Sequence, residues 1–310
     1  GMPMKHLYNW LLLSLLIISV IIALMVGSTD LPAFSNSEAW HLIITYRLPR
    51  IIVSIIGGAI IGASGLLLQL VLRNRFVDAS ILGMMNGSQF FTTGLLVLVP
   101  SVLANNVIFG ALAGIIIMIG WRLVMPTNRG NLQLILIGIA TAMTFQAGTS
   151  IASEGFGLPL STLSTVTWLQ VIQLTISVLV GSILLLLVWH HLKYFALSSQ
   201  QVRLLGINES RTMWFVLIAI GIWIGALTSL IGVVFFLGAI LPQIARLMAP
   251  KAKTQQLIVS TALWGSLLLL NADTIARTVL APKELSTSAV LLAISGPLFV
   301  LMLIRGGRHA

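Results

Sequence analysis

Uncharged apolar runs of about 20 residues, the length that crosses a bilayer core, recur along this chain from end to end. Segments such as LLLSLLIISVIIALMV (11–26) and IIVSIIGGAIIGASGLLL (51–68) carry no polar face to turn toward water. Charged residues make up only 8% of the 310 and hydrophobic ones 58%, against about 25% charged in a soluble domain. The chain is therefore expected to be an all-α polytopic membrane protein. Ten spans are expected, at about 8–28, 48–71, 79–99, 107–124, 132–152, 168–190, 212–232, 234–249, 257–279 and 288–304. The first run reads as part of the mature fold rather than a signal peptide, because no small-residue cleavage site follows it and further spans do.

Charge orients the spans. With both termini cytoplasmic, 13 of the 17 basic residues fall inside and 4 outside: Arg47, Arg50, Arg277 and Lys283. The positive-inside rule selects this arrangement, a multi-pass protein of the cell (inner) membrane. Arg47 and Arg50, in RLPR at the lip of the second span, and Arg277 stand outside against that bias. Two readings of them stay open. They reach lipid headgroups with their long side chains, or they form a docking surface for an acidic partner, since guanidinium pairs with carboxylate bidentately.

Several function classes fall away. The formal charge of +10 suggests nucleic acid, but the basic residues are scattered singly between spans rather than gathered in a stripe. With no cysteine there is no disulfide framework and no thiolate metal site or nucleophile. No GxxxxGK[ST] occurs, so the chain has no phosphate loop of its own. The GASG at 62–65 lacks the histidine an intramembrane serine protease needs, because all five histidines lie at or beyond span ends. Asp273, four residues before Arg277, reads as half of an i,i+4 ion pair rather than a proton relay.

Small and polar residues within the spans carry the remaining signal. Ser54, Gly58 and Gly62 repeat at four-residue spacing, which lets a neighbouring helix approach closely. Gln69, Asn86, Gln89, Gln146, Gln243 and Asn271 would be costly against lipid, so each should face another helix or a water-filled path. Gln69 and Asn86 flank the RNRFVDA turn and suit the inner end of a pathway or a helix–helix hydrogen bond. Met84 and Met85 suit a path lining or a core filling.

An ordered set of motifs over 46–308 resembles the FecCD family of ABC-importer permeases. These motifs are RLPR (47–50), GGAIIGASGLLLQ (57–69), RNRFVDASILGMMNGS (73–88), LLGIN (204–208), FLGAILPQIARL (236–247), ADTIARTVLAPKEL (272–285) and SGPLF (295–299). The resemblance implies a single transmembrane permease domain over 1–310 with the type II importer fold, helices 2–5 and 7–10 forming an inverted repeat. It further implies a dimer, with a second copy or with a paralogous permease, and the path between the two subunits. Its other partners are a cytoplasmic ABC ATPase dimer, which binds ATP and Mg while this chain binds no cofactor, and an extracytoplasmic substrate-binding protein. Arg47, Arg50 and Arg277 match the family positions that receive acidic residues of that protein.

The loop over 191–211 corresponds to the coupling segment that contacts the ATPase, here with Gln200, Gln201, Arg203, Leu205 and Gly206. Ser198 is expected to cap a short helix there and Gly206 to stop it. By the same analogy the inner gate lies near Asn131 and Leu132. Departures are visible: RNRFVDA lacks the family's two prolines, and Gln243 follows Pro242 where histidine is usual. Such drift suits pairing with a paralogue. The resemblance implies import of an iron(III)–siderophore complex, with haem and cobalamin as alternatives; an ion-coupled secondary carrier is the rival class.

Overall fold

The computed structural model describes residues 4–33, 36–124, 131–158 and 162–306. Arg129 and Arg308, both counted on the inner side above, lie outside them. Among the described residues twelve α-helices follow one another: α1 Met4–Met25, α2 Ser37–Leu42, α3 Leu48–Val71, α4 Met84–Leu98, α5 Asn106–Val124, α6 Asn131–Phe156, α7 Trp168–Leu187, α8 Ser199–Leu204, α9 Glu209–Ile231, α10 Leu237–Met248, α11 Thr254–Thr278 and α12 Thr287–Gly306. A single π-helical turn, Ile43–Arg47, joins α2 to α3.

Among the described residues, eight helical segments are long and apolar enough to cross a membrane. Eight of the ten expected spans overlap these segments, though Ser37–Val71 and Pro100–Val124 begin well before the expected 48 and 107 because short helical turns precede α3 and α5. The other two are shorter than expected. The span expected at 79–99 begins as helix only at Met84, and the one at 234–249 only at Leu237. Both are preceded by backbone that a helix cannot contain: Gly83 (φ 79°) before α4, Gly232 (φ 81°) and Phe236 (φ 66°) before α10. At 1.5 Å per residue α4 and α10 reach about 22 and 18 Å, so each crosses only part of a bilayer.

The packing repeats. α3 packs along α11 as α9 packs along α5, and α10 touches α3, α11 and α12 as α4 touches α9, α5 and α6. Exchanging α3–α6 for α9–α12 thus reproduces the contact pattern, which is what two inverted halves would produce. Both long seams depend on missing side chains. A Cβ on Gly58 would sit 2.1 Å from the Gly265 carbonyl oxygen, and one on Gly114 only 1.8 Å from that of Gly221. The expected small-residue face of α3, with Ser54 and Gly62, therefore meets α11, while the α5–α9 seam is a second instance of the same device.

In α3 and α9, 78% of the spanning residues are buried, so these two helices form the centre. By contrast α1 buries 11%, and α6 and α12 bury 22% each. Those three present faces to lipid or to other subunits. The end that carries Arg47, Arg50 and Arg277 is called outer below, following the charge asymmetry of the sequence.

Candidate functional site

Helix ends remote in sequence build a charged cluster at the outer end. Arg47 and Arg50 flank the start of α3, Asp273 and Arg277 lie one turn apart near the end of α11, and Glu284 stands in the loop before α12. Arg50 Nε donates to both Asp273 oxygens at 2.9 Å, its Nη2 lies 2.9 Å from Asp273 Oδ1, and its Nη1 donates to Glu284 Oε2 at 2.7 Å. Such forked guanidinium–carboxylate geometry is the strong form of the ion pair. Asp273 also accepts the Thr287 hydroxyl at 2.8 Å and stands 3.5 Å from Arg277 Nε, the expected i,i+4 pair.

The other arginine nitrogens fasten α1. Arg277 donates to the carbonyls of Ala23 and Val26 at 3.1 and 3.2 Å, and Arg47 to those of Leu24 and Thr29 at 2.9 and 2.6 Å. These oxygens lie at or just past the end of a helix that cannot satisfy its own last carbonyls, and cationic donors suit that negative pole.

The three outward arginines are only 6%, 5% and 3% exposed for Arg47, Arg50 and Arg277. Their guanidiniums are held inside the protein, which removes the lipid-headgroup reading. They line one cavity of about 190 Å³, together with Tyr46, Ser164 and Glu284. In the cluster around this cavity three guanidiniums meet two carboxylates, Glu284 in the lining and Asp273 buried behind it. Among the described residues Arg47 has no carboxylate within ion-pair distance, and Arg277 Nε has no hydrogen-bond partner. Burial pushes the Glu284 carboxyl up, but Arg50's hydrogen bond and charge, then Ser28 and Arg277, outweigh it and hold it below its ordinary value.

At the inner end the 196–206 segment forms the helix its sequence signals. The Ser198 hydroxyl accepts the N–H of Gln201, Gln201 answers in a capping box, and Gly206 ends the turn at φ 76°. Val202 is buried, while Gln200, Gln201, Arg203, Leu205 and Gly206 are all exposed. Leu204 and Leu205, 86% and 57% exposed, form an apolar tip on an otherwise polar loop.

Sequence reasoning missed the knot behind this loop. The elbow between α3 and α4 holds Asp78, which is buried and has no cationic partner within ion-pair distance among the described residues. Its carboxylate accepts the Ser80 hydroxyl at 2.6 Å, the Ile81 N–H at 2.8 Å, and the N–H of Ala239 in the first turn of α10. Ser80 Oγ in turn accepts the N–H of Phe236 at 3.0 Å. A segment about 160 residues upstream thus caps α10, which is why residues 79–83 leave the helical path.

Other expected path residues are buried within the subunit. Gln69 donates to the Val77 and Ala239 carbonyls at 3.3 and 3.2 Å and accepts Arg246 Nη1 at 3.2 Å, so it ties α3 to the elbow and α10 instead of lining a path. Met84 and Asn86, each 1% exposed, lie in the interior of the subunit and line neither cavity. Leu132, at the start of α6, is 70% exposed; the side chain of Asn131 lies outside the described part. Gln89, from the same set of in-span polar residues, does line a cavity of about 300 Å³ with Thr92, Thr149, Gln170 and Thr228. That lining contains amides, hydroxyls and leucines but no ionisable side chain.

Comparison with known proteins places these features. The FecCD transport family model matches residues 15–305. The chain is 28% identical to the protein named "Probable heme-iron transport system permease protein IsdF" of Staphylococcus aureus strain MSSA476, covering 98% of both chains. It is also 28% identical to the hemin transport system permease HmuU of Yersinia pestis, covering 94% of both. Among solved structures, an inward-facing ABC transporter described as metal-chelate type superposes with a TM-score of 0.80 at 25% identity, over 97% of this chain and 99% of that one. PsaBC of Streptococcus pneumoniae shares the fold at a TM-score of 0.58 and 12% identity, over 86% and 92%. The chain belongs to the FecCD transport family and has the fold of an ABC importer permease.

Proposed function

We propose that this permease subunit carries a preformed iron chelate inward from an extracytoplasmic binding protein, and that haem is its first candidate cargo. The observation that carries the cargo is full-length similarity to permeases named for haem-iron and hemin transport in two organisms. A second reading, an iron–siderophore complex, is favoured by the cavity of about 300 Å³, whose uncharged amide and hydroxyl lining suits a neutral, oxygen-rich chelate.

In this reading the binding protein seats over the outer end and offers a carboxylate to the cavity of Arg47, Arg50 and Arg277. The single excess positive charge there is what such a group would neutralise. Leu204 and Leu205, with Gln200, Gln201 and Arg203 around them, seat against the ATPase, which binds ATP and Mg. A second permease, identical or paralogous, covers α6. On that helix Thr144, Gln146 and Ser150 are exposed within the expected span, and polar groups at that depth belong against protein or a water-filled path. Rocking of the two halves about their packed seams would then alternate access.

Uptake decides the cargo. Cells lacking this chain are tested with labelled haem, a labelled iron–hydroxamate and labelled cobalamin, then restored with the wild type. Loss and recovery of haem uptake alone supports the first reading, and of the hydroxamate alone the second. If all three uptakes survive deletion, iron-chelate import is overturned.

A further inference from the structure

The elbow after α3 holds a residue in a conformation its type does not favour. α3 ends in a Schellman turn, with the N–H of Arg73 bonded to the Leu70 carbonyl at 3.2 Å and that of Asn74 to the Gln69 carbonyl at 3.1 Å. The left-handed position of such a turn is ordinarily glycine, because a Cβ there crowds the following carbonyl. Here it is Arg73, at φ 49°.

The side chain accounts for the exception. Nε and Nη2 of Arg73 donate to the Leu197 carbonyl at 3.1 and 3.0 Å, and Nη1 pairs with Glu209 Oε1 at 2.6 Å. The guanidinium also lies 5.3 Å from the centre of the Phe195 ring. Phe195 and Leu197 precede the coupling helix α8, and Glu209 opens α9. The Arg73 side chain is 31% exposed, so the pair adds little to stability, and stability does not explain a strained backbone at this point. On the other side of Arg73, the Val77 carbonyl is held by Gln69, and Asp78 and Ser80 cap α10. One side chain therefore stands between the loop that faces the ATPase and the cap of a partial-span helix.

We propose that Arg73 is a positioning residue that passes movement of the 196–209 loop into the α3–α4 elbow and from there to α10. The proposal rests on the importer reading above. A guanidinium fork fixed by two acceptors and a ring transmits displacement in a defined direction, which the single flexible ammonium of lysine does not.

Arg73→Gly is the informative variant, since it relieves the backbone while deleting the link. The permease is purified with its own ATPase in nanodiscs, carrying an environment-sensitive maleimide at Lys251→Cys beyond α10. The native chain has no other cysteine to label. ATP hydrolysis, the ATP-dependent fluorescence change and thermal unfolding are read together. The expected result is an unfolding midpoint no lower than wild type and ATP hydrolysis within about twofold. The ATP-dependent change at position 251 falls about fivefold or more, the scale of a coupling between sites, and Arg73→Lys restores only part of it. A full fluorescence change in Arg73→Gly overturns the proposal, and so does a loss that tracks a lowered midpoint or lost hydrolysis. A wild-type complex without any ATP-dependent change overturns the importer reading and this inference with it.

Discussion

The outer cluster and the inner elbow are both buried, polar and built from segments more than 150 residues apart, yet they balance charge in opposite ways. Outside, full charges meet full charges: Arg50 lies between Asp273 and Glu284, Arg277 leans on Asp273, and Arg47 is left with carbonyls alone. Inside, the buried carboxylate of Asp78 is held by backbone N–H groups and one hydroxyl, without a cation at ion-pair distance among the described residues. A cluster with a surplus guanidinium is incomplete by itself and suits a charged visitor. A carboxylate closed on a helix N-terminus is complete, and suits a joint that must stay made while its surroundings move.

The largest effect should come from breaking the outer balance. Asp273→Ala leaves Arg50 and Arg277 buried with one carboxylate between them, at a cost of about 3–5 kcal/mol, read as a lowered unfolding midpoint in detergent. Asp78→Ala removes the hydrogen bonds accepted from the Ser80 hydroxyl and from backbone N–H groups but strands no buried cation, so about 1–3 kcal/mol is expected. If the two losses are equal, the contrast between ion-pair and backbone satisfaction is wrong.

Arg47→Glu reverses the surplus charge without touching Asp273. Affinity for the binding protein should drop about tenfold, near 1.4 kcal/mol, mainly through a slower, less salt-sensitive association. An unchanged association rate would show that the surplus charge is not read from outside.

The smallest effects come from the partly exposed partners. Glu209→Gln should cost about 0.2–1 kcal/mol of stability, as partly exposed pairs do. Glu284 offers a pH test. Its pKa lies below the ordinary carboxylate value, so its contribution is complete above that ordinary value and is lost as pH falls through the depressed one. Unfolding midpoints of wild type and Glu284→Gln should therefore differ at neutral pH and converge in acid below the carboxylate range. Divergence in acid would reverse the sign assigned to Arg50.

Much of the frame was legible in the residues. Eight of the ten expected spans meet the long helices, because hydrophobic length alone sets a span. The Ser54–Gly58–Gly62 face is where α11 packs, and the Ser198 and Gly206 caps are where α8 begins and ends. Charge bias also picked out Arg47, Arg50 and Arg277 as a group, and the ordered motifs pointed to the family that the full-length match shows. Their burial was not legible, nor was the role of Glu284, since nothing near Arg50 in sequence indicates a carboxylate 234 residues away. For Gln69, Met84 and Asn86 the residues left path lining open beside helix–helix bonding or core filling, because polar or soft residues near a turn are ambiguous until their neighbours are known.

The sequence by itself determined what depends on composition, spacing and local hydrogen bonding: an all-helical membrane chain, its charge asymmetry, its close-packing faces and its caps. Only the tertiary structure decided which distant groups meet. Asp78 shortens α4 and begins α10, Arg73 accepts a left-handed backbone for the sake of Leu197 and Glu209, and Arg50 chooses Asp273 and Glu284. The physical reason is that each of these choices is made by a partner on another segment, and a local pattern carries no record of it.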